Sequence, residues 1–155
     1  MATTVKVNNK VWNRIKREIR RADKRDLKVG VLEPAVHPRT NLQIATIAFM
    51  HEFGDFDIPE RPFILPIVNA FSAKLLEGAA RDIIKGHSAI KAYQKMGKVL
   101  ALAIKDWIEN NPYQLSEETI RSKKARGDSF PSQALLETGT LMESISYKVS
   151  INDNV

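Results

Sequence analysis

The residues that could do chemistry in this 155-residue chain are few, and they gather in one stretch. His51-Glu52 has the opening of a zinc-protease helix, in which two histidines four residues apart share a helix face and bind the metal while the glutamate acts as base. The position of the second histidine is Asp55, which lies beyond Gly54, so the ligand set is incomplete. Asp55 and Asp57 could serve as an acid–base pair or hold a divalent ion, as in a nuclease, but no matching lysine stands nearby in sequence. His37 and His87, beside Pro38 and Gly86, read as surface loop residues. The chain has no cysteine, which excludes disulfides, thiolate metal sites and cysteine nucleophiles. Gly127 and Gly139 stand alone, so no glycine loop is present to cradle a phosphate, and neither zinc-finger spacing nor a basic zipper occurs. The expectation is a protein that is not an enzyme and needs no cofactor or metal.

The elements that would position these residues begin with a helix closed by Gly54 in a left-handed cap, followed by an acidic turn and the proline-stiffened run Pro59-Glu-Arg-Pro-Phe-Ile-Leu-Pro66. A loop of that composition protrudes at low entropic cost over 54–62. It serves either as a plain connector between helices or as a contact surface.

Around it the chain reads as follows. Asn9 to Asp23 is a helix with an apolar stripe of Val11, Trp12, Ile15, Ile19 and Ala22. Leu27 to Val31 alternates with the period of a half-buried strand. Thr40 and Gln43 have the spacing of a capping box for the helix ending at Phe53. A third helix spans Phe63 to Ile84, with an apolar face wide enough for contacts on two sides. A fourth follows Ser88 as N-cap and stops at Asn110-Asn-Pro112, and Ser116 caps a short fifth. Arg126 to Pro131 is a flexible loop. Thr140 and Glu143 offer a capping box for one turn, and Ile145 to Ile151 alternates as a closing strand. The pattern predicts an α+β fold, a small and mostly antiparallel sheet flanked by several helices. It forms one domain over 1–155, with a basic N-terminal helix over 1–26 and an α+β body over 27–155.

A formal charge of +6 favours polyanionic neighbours. Arg14, Arg17, Arg21 and Lys24 line a face of the first helix and could meet DNA nonspecifically or an acidic partner, in a contact that salt would weaken. The plainer reading of such a face is a solvated one. No segment reaches the roughly 18 apolar residues of a membrane span, and no secretory signal opens the chain, so a soluble cytoplasmic product without a membrane partner is expected.

Two motif blocks bear on function. Glu52-Phe53-Gly54 followed by Pro59-Glu-Arg61-Pro62-Phe63 resembles the Glu-Phe-Gly and Pro-x-Arg-Pro-Phe signature of tailed-phage virion-morphogenesis proteins, the small neck or tail-completion components. Leu115, Ser116 and Thr119, then Thr138, Gly139, Leu141, Ser144 and Ile145, are similar to that family's Leu-Ser-x-x-Thr and Thr-Gly-x-Leu-x-x-Ser-Ile elements. The match runs from about Ile44 to Val149; Asp55 to Ile58 is an acidic insert, and Thr140 stands where arginine is more common. The resemblance implies a structural virion protein at the head–tail junction, assembled in the host cytoplasm. It would form a homo-oligomeric ring as a neck, tail-completion or tail-terminator subunit, with neighbouring neck, adaptor and tail proteins as partners and DNA passing transiently through the channel. A closed ring needs a heterologous face on each subunit. Glu52, Phe53, Gly54, Pro59, Arg61, Pro62 and Phe63 are the candidates for it. The alternative is a nonspecific DNA-binding or packaging accessory that uses the basic helix.

Overall fold

The two alternating segments near the ends of the chain meet. β1 (Arg25–Val31) and β2 (Ile145–Ile151) pair antiparallel, from Arg25 opposite Ile151 to Val31 opposite Ile145. A computed structural model describes residues 9–152; the first eight residues of the expected basic segment lie outside it. Among the described residues the other elements are α1 (Asn9–Asp23), α2 (Ile44–Phe53), α3 (Leu65–Lys85), α4 (Ala89–Glu109), α5 (Glu117–Ala125) and the single turn α6 (Thr140–Glu143). The fold is α+β, with the sheet reduced to one antiparallel pair.

α4 is the element on which the others pack. It touches both strands, α1, α3 and α6, because apolar positions occupy more than one of its sides: Met96, Leu100, Ala101, Ile104 and Ile108 are all buried. Gly97 permits the closest approach. A Cβ there would lie 2.4 Å from the Tyr147 ring and 2.8 Å from Leu27, so any side chain would push α4 off the sheet. One core cluster joins Ile44, Phe63, Ile67, Leu100, Ile104, Leu136 and Ile145. A smaller one, Ala79, Ile83, Ala89, Ala92 and Met96, fills the seam between α3 and α4.

Several local expectations are corrected. α2 starts at Ile44, with Gln43 at the N-cap position making no side-chain bond; the Thr40–Gln43 box does not form. The Thr40 and Arg39 amides instead face Nδ1 of His37 at 3.4 Å, and His37 is buried, not a surface loop residue. Gly54 has the expected positive φ of 75° but an extended ψ of 166°, so the chain leaves α2 straight instead of curling back in a left-handed cap. α3 begins at Leu65, two residues later than expected, with proline in its first turn, where a missing N–H costs nothing. α6 forms, but Gly139 holds its N-cap position, so Thr140 is already helical and cannot cap. Ser116 does cap α5, accepting from the Thr119 amide at 3.2 Å.

α1 packs through only part of its expected stripe. Ala22 packs against the α3–α4 seam and Ile15 is half-buried, but Val11, Trp12 and Ile19 are exposed, and the buried residue of the helix is Glu18. The polar face packs because it meets the α3–α4 turn: Arg14 Nη2 donates to the Ile84 carbonyl at 2.9 Å, and Glu18 Oε2 accepts from the Ala89 amide at 3.0 Å. The guanidinium thus sits at a helix C-terminus and the carboxylate at a helix N-terminus, each at the end whose dipole favours it. Ser88, expected to cap α4, makes no such bond; Glu18 has taken its place.

The 126–131 loop is pinned as well. Asp128 has a fully buried side chain that pairs with Arg39 and Arg126, and Arg39 also reaches Glu137 at 3.0 Å. Burial pushes the Asp128 carboxyl up, but its hydrogen bonds to Arg39 and Arg126 outweigh this and hold it below the usual aspartate value.

Candidate functional site

The two motif blocks, far apart in sequence, converge on one groove of about 290 Å³. His51, Ile58 and Arg61 of the first block's segment line it together with Leu115, Thr119 and Leu141 of the second. Local chemistry explains each position. Glu52, on the buried side of α2, turns its carboxylate onto the start of α3: Oε2 accepts from the Phe63 and Ile64 amides at 2.9 and 3.0 Å, and Oε1 from the Leu65 amide at 2.7 Å. One side chain thereby satisfies the amides of three successive residues that lead into α3, including its N-cap residue Ile64 and its first helical residue Leu65. The Pro62 carbonyl accepts from Trp107 Nε1 at 3.1 Å and Tyr113 Oη at 2.8 Å, and the Arg61 amide donates to the His51 carbonyl at 2.7 Å. The proline loop is therefore clamped against the C-terminal end of α4.

This corrects the expected interface. Glu52 is only 6 % exposed and Phe63 0 %; both are internal, one as a cap and one as the largest fully buried side chain. Gly54 and Pro62 are half-buried, whereas Phe53 and Pro59 are exposed and Arg61 reaches the groove. In the second block Leu141 and Ile145 are core residues. Ser144 Oγ bonds the Thr140 carbonyl at 2.7 Å, the Thr138 and Thr140 hydroxyls meet at 2.7 Å, and Gly139 adopts a φ of 84° that disfavours side chains.

Inside the groove, burial, followed by the charge of Arg61, pushes the His51 imidazole below its ordinary value. Its Nδ1 is buried without a hydrogen-bond partner. Lys123 is buried and donates to the Gln133 and Leu136 carbonyls, both at 2.6 Å, and burial pushes its ammonium pKa down. Among the described residues the Arg61 guanidinium has no carboxylate within ion-pair distance. The groove is apolar along Leu42, Ile47 and Leu115, and Arg61 and Glu137 are among its charged lining residues.

Beside the groove stands an exposed aromatic group. Phe49 and Phe53, 61 % and 52 % exposed, hold their ring centroids 4.8 Å apart, and Phe56 is 100 % exposed. Phe56 rides on a tight turn in which Asp55 and Ile58 exchange backbone hydrogen bonds at 2.9 and 3.0 Å, and the Asp55 carboxylate accepts the Phe56 amide at 2.8 Å. Sequence reasoning weighed Asp55 and Asp57 as a catalytic pair and passed over the residue between them. A large aromatic in a two-aspartate turn was the available signal. Among the described residues no group of three or more His, Asp or Glu could hold a metal ion.

The four basic candidates divide. Arg14 is spent on the Ile84 carbonyl, and Arg21 pairs with Glu18 at 2.7 Å. Arg17, Lys24 and, despite its pairing, Arg21 join Lys16, Arg20 and Arg25 around a groove of about 610 Å³ that Ile151 also lines. Arg25 Nε is buried there without a hydrogen-bond partner. Among the described residues no helix is long and apolar enough to cross a membrane.

No protein-family model, no curated protein and no solved structure matches this chain.

Proposed function

We propose that this chain is a ring-forming structural subunit of a tailed-phage head–tail junction, in a neck, tail-completion or terminator position. The observation that carries the reading is the convergence of the two motif blocks: Ile58 and Arg61 of the first and Leu115, Thr119, Thr138, Gly139 and Leu141 of the second line a single groove, and Ile58 closes the turn that carries the exposed Phe56. Residues that a core alone would need, Glu52 and Phe63, sit under that surface and stiffen it, while Phe53, Phe56, Pro59 and Arg61 are left to make contacts. A docking surface built on a clamped loop loses little entropy on binding. Peptide mass spectrometry of tailed particles encoding this chain, with tail-less heads from the same lysate beside them, tests it. The chain is expected in complete particles at a few to a dozen copies, and its absence from both samples would overturn the reading. Arg61→Ala is expected to leave the monomer folded and to block its incorporation.

The basic groove on α1 favours a second reading, a nonspecific DNA-binding accessory. Under it, retention on duplex DNA would fall steeply with salt and would be lost on reversing Arg17 and Lys24.

A further inference from the structure

Two surfaces of opposite charge stand at opposite ends of α4. At its C-terminal end, where Trp107 holds the Pro62 carbonyl, the acidic turn presents Asp55, Phe56, Asp57 and Glu60, all exposed. At its N-terminal end, where Glu18 holds the Ala89 amide, α1 presents the groove lined by Lys16, Arg17, Arg20, Lys24 and Arg25. From Ala89 to Trp107 the helix rises about 27 Å, so the two surfaces of one chain cannot meet.

We infer that the acidic turn of one copy docks in the basic groove of the next, Phe56 entering against the aliphatic stems and Ile151 while Asp57 and Glu60 pair with the rim cations. The occupant is a second copy because the match is specific on both sides. The groove sets six cations beside one aliphatic residue, Ile151. The turn sets a wholly exposed ring beside flanking carboxylates. Charge complementarity between the two patches favours a second copy, and retention on duplex DNA is the competing outcome of the test. Joining two different patches held at opposite ends of α4 makes the contact heterologous, so it repeats from copy to copy and closes into a ring if the rotation permits. The inference deepens the ring-subunit reading and rests on it for where the contact operates; the contact itself is tested on the purified chain.

Every residue substituted in the test is exposed, so the fold is kept. Sedimentation velocity at low salt is expected to show concentration-dependent assembly that weakens as salt rises. Phe56→Ser is expected to weaken it at least about tenfold, in the range of an aromatic hot spot. The charge reversals Asp57→Lys with Glu60→Lys, and Lys16→Glu, Arg20→Glu with Lys24→Glu, should each leave monomers. Mixed in equal amounts, the two reversed chains should assemble again, since the basic turn then meets three glutamates at four-residue spacing and the acidic turn meets an unaltered groove. A wild-type chain that stays monomeric at low salt, or a mixture that fails to reassemble, would overturn the contact. So would a Lys16→Glu, Arg20→Glu, Lys24→Glu chain that assembles normally while losing only its retention on duplex DNA, which would make the groove a polyanion site. Assembly with charge-swap rescue but absence from particles would sink the virion reading alone. Presence in particles without self-association would sink the contact alone.

Discussion

Glu52 and Glu18 perform the same task in two places. Each is about 6 % exposed, and each reaches from one helix to the start of another, where the local residue makes no cap: Ile64 before α3 and a non-bonding Ser88 before α4. They differ in what completes them. Glu52 receives three backbone amides, whereas Glu18 receives one and shares its other oxygen with the exposed Arg21. The first therefore locks a loop to the core. The second attaches a peripheral helix to the outside of a turn.

The largest expected effect tests whether this difference is one of degree or of kind. Glu52→Ala strands three amides around a buried helix start and should cost ~3 kcal/mol or more, since each unsatisfied buried donor costs ~1–3 kcal/mol. Phe63→Ala should cost ~3–5 kcal/mol, as large buried aromatics do. Thermal unfolding of the purified chain measures both. If Glu52→Ala costs no more than Glu18→Ala, the two caps are equivalent and the contrast collapses.

Glu18→Ala comes next, at about 1–2 kcal/mol, the upper range for a lost cap. Hydrogen exchange should show where it acts: faster exchange in α1 with β1 and β2 still protected. Uniform loss of protection would make α1 part of the core.

Acid sharpens the same point. The Ala89 amide, helped by Arg21 and opposed by burial, holds the Glu18 carboxyl below its ordinary 4.5. A depressed carboxyl contributes stability that is present above 4.5 and is lost as pH falls through the lower folded value. The stability difference between wild type and Glu18→Ala should therefore be constant at neutral pH and shrink below 4.5. A difference that persisted at lower pH would assign Glu18 a packing role.

The smallest effect compares two serines in N-cap positions. Ser116→Ala should cost about 1 kcal/mol, because its hydroxyl accepts the Thr119 amide. Ser88→Ala should stay within ~0.5 kcal/mol, because Glu18 already serves that helix. Chemical denaturation of the two variants side by side would show it.

Much of the fold could be read from neighbours along the chain. Strand alternation at Leu27–Val31 and Ile145–Ile151, the extent of α1, the stop at Asn110-Asn-Pro112 and the Ser116 cap all depend on residues within a few positions of one another, and periodicity reports those. The site was legible only in part. The sequence singled out the stretch from Glu52 to Phe63 but could not say which side chains face inward: the motif that marks Glu52 as a contact does not show its carboxylate turning onto the start of α3, and Phe56 lies between two aspartates that read as a pair. The destination of a carboxylate is set by whichever helix start packs within its reach. Glu18 lies 71 residues from the amide it caps, and Asp128 lies 89 from Arg39. Local chemistry settles the two strands, the extent of α1, the stop of α4 and the start of α5, and the sequence alone determined those; the starts of α3 and α4 are completed by acids from other helices. Which polar face of α1 is buried, which acid caps which helix, and which aromatics are left for a partner were decided only in the tertiary structure. Those choices follow from satisfying buried donors and acceptors brought together by packing, and no spacing along the chain encodes them.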